Sequence, residues 1–551
     1  MAKPSLQIIP IGGFGEIGKN MTAFQYGDEA IIVDTGIMFP EGDMLGIDYI
    51  IPDFHYLMDN PGLKIKGIII THGHEDHTGA IQHVMSNFHA PVYATPLTRG
   101  LLEVKLKQAR LLDKVELVTF KAGDTLKLGV FSVETFHVCH SIPDGVGLGI
   151  KTPVGIVVHT GDFKFDHTPV DNWPPDFAKL AELSSRGVLA LMSDSTNADR
   201  PGWTPSERVI DAAFDTVFRD APGRIMIATF ASLISRIQQV AEAAQRYGRK
   251  LGVAGHTMSE NIKMAMNLGY LQLPPDLLIS LDEVKKHNPK EVVIVMTGTQ
   301  GEPSAALSRL AMGRHNQLSI LPNDTIIMSS HPIPGNEELV HRIINRLFQR
   351  GANVIYDPIA AVHVSGHASQ EEQKLMINLI RPKYFIPVHG ELRHLKQHAL
   401  LAEQVGIPKE RIAVVENGTI ISFDHKGDMT IGERLPGGYV FVDGSGVGNV
   451  GMAIMRDREI LARDGVVVVN VSVDRHTQQV VGEPDILSRG FVSTRDANDL
   501  LDTAKQTVRK VVNQNVYANG RKHELVQEAL NRLFYNETKR HPIIFAFINP
   551  V

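Results

Sequence analysis

The chain has 551 residues, 43% hydrophobic and 21% charged, a globular composition too long for one compact core, so two or three domains are expected. No apolar run approaches the roughly 18 residues of a membrane span, and the opening MAKPSLQIIP lacks the basic, apolar and cleavage regions of a signal peptide. The net charge of −6 excludes nucleic-acid binding through bulk positive charge, leaving local basic groups, helix N-termini or metal ions to do it, and the lone Cys139 excludes an intramolecular disulfide and fits a reducing, cytoplasmic setting.

Along the chain, the first 200 residues read as strands joined by glycine-rich turns. Leu6–Pro10, Glu29–Asp34, Ile68–Thr71, Phe131–Phe136 and Ile156–Thr160 are short apolar runs ending at polar residues. Asn20–Tyr26 and Glu29–Asp34, joined by Gly27-Asp28, predict a hairpin. Helical spacing is expected over Gly79–Phe88, then over Pro205–Phe218, with Thr204 or Ser206 as N-cap, and over Ser232–Tyr247. The runs Arg224–Thr229, Val292–Thr297 and Thr325–Ser330 alternate with helices, which predicts an α/β region with a parallel sheet. Strand-and-turn texture returns after about His363. A further unit begins near Asn449, with a strand at Gly465–Asp474, helices near Asp496–Asn513 and Lys522–Tyr535, and a strand at Ile543–Ile548.

The strongest chemical signal is Thr71-His72-Gly73-His74-Glu75-Asp76-His77, directly after the strand-like Gly67–Ile70. Three imidazoles and a carboxylate leave one strand end together, and these are the donors that zinc takes. A loop can turn them to one point, which a regular helix cannot at this spacing. His140, Asp162 and His389 each lie just beyond another apolar run and complete a two-metal set. Cys139 points opposite to its neighbour His140 in an extended chain and is read as a small buried apolar residue.

Gly13-Phe14-Gly15-Glu16-Ile17-Gly18 fits GxGxxG, with Asp34 at a tempting distance. A dinucleotide site requires a helix after the glycines. A hairpin follows here, so the glycines are read as a tight turn passing close to the metal ligands.

The stretch 72–77, with the later His, Asp and His, resembles the metallo-β-lactamase superfamily. Ser193–Ala198, Thr297–Pro303, Ser330–Glu337, His363–Ala368 and Val442-Asp443-Gly444 resemble the β-CASP nucleases and, within them, the ribonuclease J family, over nearly the whole chain. The resemblance implies an α/β protein in which an αββα metallo-β-lactamase domain is interrupted by an inserted α/β β-CASP domain. The expected spans are 1–205 and 355–445 for the first, 206–354 for the second, and 446–551 for a linker and small α/β C-terminal domain that supports dimerisation.

Carried over residue by residue, the resemblance gives one zinc to His72, His74 and His140 and the other to Asp76, His77 and His389, with Asp162 bridging. Manganese suits the same donors. Asp76 thereby also serves catalysis. His367 is implied as general acid and Asp194 as the residue that orients its neighbours. Backbone N–H groups of Val364-Ser365-Gly366, expected to end a strand before a helix starting near Ser369, are implied to hold a 5′-phosphate with His363, His367 and Ser232. Leu233, Ser235 and His256 stand where the family usually has asparagine, histidine and arginine. Asp48 and Asp443 match positions of a structural calcium, against the preferred plainer reading of surface carboxylates.

The implied function is two-metal hydrolysis of single-stranded RNA, 5′-to-3′ and from monophosphorylated ends, with endonuclease activity, in rRNA processing and mRNA decay. A homodimer or homotetramer and other RNA-decay proteins are the implied partners. A DNA nuclease or other phosphoesterase on the same metals is the enzymatic alternative, and an RNA-binding scaffold subunit the non-enzymatic one. The inserted domain argues against small esters, and the intact ligand set against a scaffold.

Overall fold

The computed structural model describes residues 4–42, 44–333, 336–444, 446–492, 498–514 and 521–551. Pro334 and Gly335 of the Ser330–Glu337 stretch, and Asp496 of the helix expected at Asp496–Asn513, lie outside them. The chain divides into two units, one of residues 1–41 and 49–440, the other of 42–48 and 441–551.

In the first unit, an eight-stranded sheet and a six-stranded sheet pack face to face. The eight-stranded sheet runs in the order 429–434, 419–423, 6–12, 21–26, 29–33, 64–69, 92–94, 117–119. The six-stranded sheet runs 384–388, 188–194, 156–159, 146–151, 131–137, 125–128. Phe24, Ile31 and Val33 of one sheet share a core with Val133, Leu148, Val157 and Ile386 of the other. Helices Phe177–Ser185 and Gln370–Ile380 cover the outer face of the second sheet through Leu180, Leu183, Met376 and Ile377.

Between Asp194 and Tyr384 the chain leaves this sandwich and builds a third sheet, entirely parallel, in the order 278–279, 250–254, 292–296, 225–228, 325–328, 353–355. Its strands are apolar throughout because both faces are covered. Ile225 and Ile227 pack to one side, and Met226 and Ala228 to the other. The excursion closes when Tyr384–Val388 pairs in parallel with Ala190–Asp194. This is the expected α/β architecture, an interrupted two-sheet layer with an inserted parallel sheet.

In the second unit, strand Val466–Val473 lies between Asp485–Arg489 and Ile543–Pro550. One face carries helices Asn498–Gln514 and Lys522–Thr538, packed through Val467, Val469 and Val471 against Val508, Val526 and Leu530.

Several local expectations change. Gly79–Phe88 is not one helix. Glu75–Thr78 and Ile81–Met85 are two short ones, so Asp76 and His77 sit on a helical turn rather than in a loop. Helices Pro96–Gln108 and Phe177–Ser185 interrupt the supposed run of strands, and Leu392–Gln404 the strand texture expected after His363, whereas the helix expected near Ser369 is present as Gln370–Ile380. The helix expected from Pro205 begins at Val209 with Arg208 as N-cap. Thr204 is drawn away to hydrogen-bond His367 O and Ser369 Oγ. Residues 362–366 form an irregular segment, not a strand.

A candidate two-metal centre

The strands 29–33, 64–69, 131–137, 156–159, 188–194 and 384–388 deliver residues to one place, just beyond their C-terminal ends. No helix follows Gly13–Gly18. Strand Met21–Tyr26 pairs with Glu29–Val33 instead, which removes the dinucleotide reading. The turn brings Asn20 to the site, with Nδ2 3.1 Å from His77 Nε2 and 3.1 Å from Asp76 O.

All seven expected ligands meet there. Ligand atoms of His72, His74 and His140 lie within 4.8 Å of one another, and so do those of Asp76, His77, Asp162 and His389. His74 Nδ1 is 3.1 Å from His72 Nε2 and 3.0 Å from His140 Nε2. Asp162 Oδ2 stands 3.1 Å from His77 Nε2, 3.6 Å from His72 Nε2 and 3.7 Å from His140 Nε2, between the two groups. His389 places Nδ1 2.8 Å from Asp162 Oδ1 and Nε2 3.4 Å from Asp76 Oδ2.

The donor set fits metal on an observation of its own. Asp162 Oδ2 and His389 Nε2 are buried with no hydrogen-bond partner. A buried orphan carboxylate oxygen among imidazoles is costly unless a cation satisfies it. The outer nitrogens of the rings are held by the protein. His77 Nδ1 donates to Asp34 Oδ2 at 2.8 Å, and His140 Nδ1 to Gly366 O at 2.8 Å. Each bond leaves Nε2 as the ring nitrogen that faces the cluster. Thr71 Oγ1 donates to Asp34 and lies 3.1 Å from His72 Nδ1. Gly366 is required at its position, because a Cβ there would come within 2.6 Å of the His140 ring.

Charge follows this packing. Burial pushes His74 down to about 4, and it likewise lowers His72 and His140, favouring their neutral rings. For His389, burial is outweighed by Asp162, Asp76 and Asp194, which push it up to about 10. Burial opposes ionisation of Asp162 and Asp76 as well, but His389 and His77 hold both carboxyls below the usual range.

Asp194 and His367 sit against the same cluster. His367 Nδ1 donates to Asp194 Oδ2 at 2.7 Å and is 3.9 Å from Asp162 Oδ2. Thr196 donates to Asp194 Oδ1 through both its backbone N–H and its hydroxyl. Burial lowers the His367 pKa, but Asp194 and Asp162 together raise it above the ordinary histidine value.

The expected phosphate pocket is altered. The helix start is already used, since Gln370 N–H donates to Arg200 O, Glu371 N–H to Gly202 O, and Ser369 with Glu372 forms a capping box. His367 N–H donates to Ser365 Oγ, which also accepts from Asn197. Among the described residues, the N–H groups of Val364, Ser365 and Gly366 donate to no acceptor of the protein. The His363 ring is packed edge-on against His331 with its Nδ1 buried and unpartnered.

Ser232 lies between strand Ile225–Ala228 and helix Ile234–Arg246. Leu233 is buried in the apolar core and Ser235 lines a cavity beside His140 and Glu207. His256 opens its helix and faces a cleft of about 880 Å³ with Arg99 and Lys107.

Asp48 and Asp443 have partners within the protein. Gly444 N–H donates to Asp48 at 2.7 Å, and the Arg458 guanidinium binds Asp443, which gives a calcium ion there an unfavourable cationic neighbour. Cys139 is buried, its thiol pushed up to about 12 by burial, and it takes no part in the ligand set.

Sequence reasoning missed Asp34, Thr71, Asn20 and the Gly366 carbonyl as supports of the ligands. The only local signal for Asp34 was its position at a strand end. Its φ of 64° shows a backbone bent to reach His77.

Comparison with known proteins bears on this site. Family models match as "Metallo-beta-lactamase superfamily" over residues 15–211, "Ribonuclease J, beta-CASP domain" over 222–347, "Zn-dependent metallo-hydrolase RNA specificity domain" over 351–412 and "Ribonuclease J C-terminal domain" over 453–551. The chain is 43% identical to Ribonuclease J 1 of Streptococcus pyogenes serotype M3, covering 98% of this chain and 97% of that protein. It is 41% identical to Ribonuclease J2 of Bacillus subtilis, with 99% of each covered. It is 44% identical to Ribonuclease J of Thermus thermophilus, over 88% of this chain and 85% of that one. A solved structure of a protein of unknown function from Enterococcus faecalis shares the fold, with a TM-score of 0.53 at 16% identity, over 78% of this chain and 100% of that one.

Proposed function

The chain belongs to the ribonuclease J family and is a metal-dependent hydrolase of RNA, and from that premise we propose that it degrades single-stranded RNA 5′ to 3′ from monophosphorylated ends, and also cuts internally, with two zinc ions. The observation that carries this reading is Asp162 Oδ2, buried without a hydrogen bond between two clusters of imidazoles. His72, His74 and His140 would hold one ion, and Asp76, His77 and His389 the other, with Asp162 shared. Manganese suits the same mixed donors. The pair, when bound, supplies hydroxide near neutral pH and offsets charge on the phosphoryl oxygens.

The chain's own groups do the rest. With Nδ1 committed to Asp194, His367 has Nε2 as its free nitrogen. The two carboxylates beside it favour the protonated ring, which suits it to protonate the leaving 3′-oxygen. Asp194, held by Thr196, keeps that ring in place.

The three successive N–H groups at Val364–Gly366, which donate to no acceptor of the protein, are proposed as a nest for a phosphate. A monophosphate fits such a nest, whereas the longer and more charged triphosphate costs more to desolvate. Ser232 and His363 are the side chains proposed beside it. Leu233, buried in the core, cannot contribute the polar contact that asparagine would.

The C-terminal unit supports assembly into a homodimer or homotetramer. The sheet face opposite its two helices exposes Leu487, Phe545 and Phe547 by 63%, 48% and 53%, apolar surface of the kind that partners cover. Other RNA-decay proteins are further candidate partners. Cytoplasmic action fits the single cysteine, and among the described residues no helix is long and apolar enough to cross a membrane.

The test is a time course with metal content measured on the same protein. Three substrates are compared, namely a 5′-monophosphate RNA, the same RNA with a 5′-triphosphate, and matched DNA. Mononucleotide release is followed separately from internal cuts. About two ions per chain and faster mononucleotide release from the monophosphate RNA are expected. Equal release from both RNAs would remove the 5′ pocket, and equal hydrolysis of DNA would remove the preference for RNA.

A further inference from the structure

Segment 165–168 and segment 203–206 enclose a cavity of about 350 Å³ beside the catalytic loop. Its walls are Phe165, Asp166, His167, Thr168, Trp203, Thr204 and Ser206, and the Asp166 carboxylate is taken up by the backbone N–H groups of Thr168 and Glu207. The chain has only two tryptophans, and Trp203 leaves half its surface, 50%, exposed here. An indole so placed offers a flat face on which another ring can stack. The His167 and Trp203 rings are in tilted contact, 6.2 Å apart at 46°, so a base would stack on the open face of Trp203, with His167 supporting it. His167 in turn lies parallel to Phe177, which stacks on Phe165 at 5.0 Å. The aromatic wall is therefore braced from behind.

Two further features point to a nucleotide as occupant. Arg208, beside the cavity, hydrogen-bonds Thr168 O, Pro169 O and Asn172 Oδ1. All three acceptors are neutral, so the guanidinium charge stays available to a phosphate. The cavity is also tied directly to the reaction centre. Thr204 Oγ1 donates to His367 O at 2.7 Å, and the backbone N–H groups of Thr204 and Phe165 both donate to Glu372. A ring held at Trp203 is thus one residue removed from the loop that carries His367.

We propose that the open face of Trp203, in the cavity beside His167, is a nucleobase subsite, in which one base of the RNA substrate stacks on Trp203 while Arg208 attracts its backbone phosphate. The proposal rests on the assignment of RNA as substrate. Stacking has no hydrogen-bond readout of its own, so the subsite accepts any base and sets the register of the strand past His367.

The experiment is a cycle between protein and RNA. The dissociation constant of a single-stranded RNA is measured with chelator present, for the unmodified protein, Trp203→Ala and Trp203→Phe. The series is repeated on RNAs carrying one abasic nucleotide at successive positions. Trp203→Ala is expected to weaken binding by about 5- to 150-fold, the range for loss of one stacked base, and Trp203→Phe to restore most of it. At one abasic position, the loss in the unmodified protein should match that of Trp203→Ala, with no further loss when both are combined. Unchanged binding by Trp203→Ala, or additive losses at every position, would overturn the subsite. Metal-loaded cleavage is run in parallel. If the unmodified protein cuts no RNA, it is the assignment of activity that fails, and the binding cycle still decides the subsite by itself.

Discussion

Asp34 Oδ2 accepts a hydrogen bond from His77 Nδ1 at 2.8 Å, although the two residues are separated by 43 positions and leave different strands. Both side chains are 2% exposed. The bond fixes the ring so that only Nε2 faces Asp162. Asp34→Ala is expected to weaken metal binding by roughly 10- to 100-fold, the usual cost of losing the carboxylate behind a ligating histidine. Competition with a chelator, with the fold followed by circular dichroism, checks this. Unchanged affinity would show that Thr71 and Asn20 suffice to orient the ring.

Asp76 and His77 stand on the same short helix and face Asp162 and His389. Asp76→Ala or His77→Ala should empty one of the two positions and abolish most hydrolysis, because the nucleophile depends on both cations. Metal analysis of the variants should give about one ion per chain. Full activity with one ion would refute the two-metal mechanism.

His367 touches Asp194 at 2.7 Å and also falls in a group with Asp162, Asp194 and His389. As general acid, its replacement in His367→Ala should slow turnover by roughly 10²-fold or more with metal content retained. A variant that loses an ion along with activity would make His367 a ligand instead.

Glu134 receives Arg186 at 2.7 Å and Lys179 at 2.7 Å. Arg186, with Lys179, holds its carboxyl at about 2 against an ordinary 4.5. A depressed carboxyl pKa stabilises the fold above the unfolded value, and that contribution disappears as pH falls from about 4.5 to about 2. Glu134→Gln should therefore cost about 1–2 kcal/mol near neutral pH. The difference in thermal stability between the two proteins should vanish toward the acid end of that window. A constant difference across it would mean that packing, not charge, is what Glu134 contributes.

Much of the centre was legible in order along the chain. The stretch 72–77 places four ligands within six residues, so short-range spacing alone announces metal chemistry. His140, Asp162 and His389 could be picked out because each follows an apolar run, and strand ends are where a sandwich presents side chains. The helices at Pro96–Gln108 and Leu392–Gln404 were missed, although Leu97, Leu101, Leu102 and Leu106 repeat at helical spacing. Those apolar residues sit among short strands, whose own apolar runs mask the helical spacing.

What local spacing cannot carry is which distant strands become neighbours. His389 joins Asp162 only because Asp194 pairs with Val388 after the chain has built an entire parallel sheet between them. The same register sets Asp194 beside His367, and the approach of Gly366 to His140 turns a backbone carbonyl into the group that orients a ligand. Those contacts depend on sheet register and close packing, both settled by interactions across the whole core. The sequence by itself determined the donor atoms and the chemistry they permit. The tertiary structure alone decided which ring nitrogen faces the cluster, which backbone N–H groups find no acceptor in the protein, and that the side chain of Trp203 stands open beside the loop of His367.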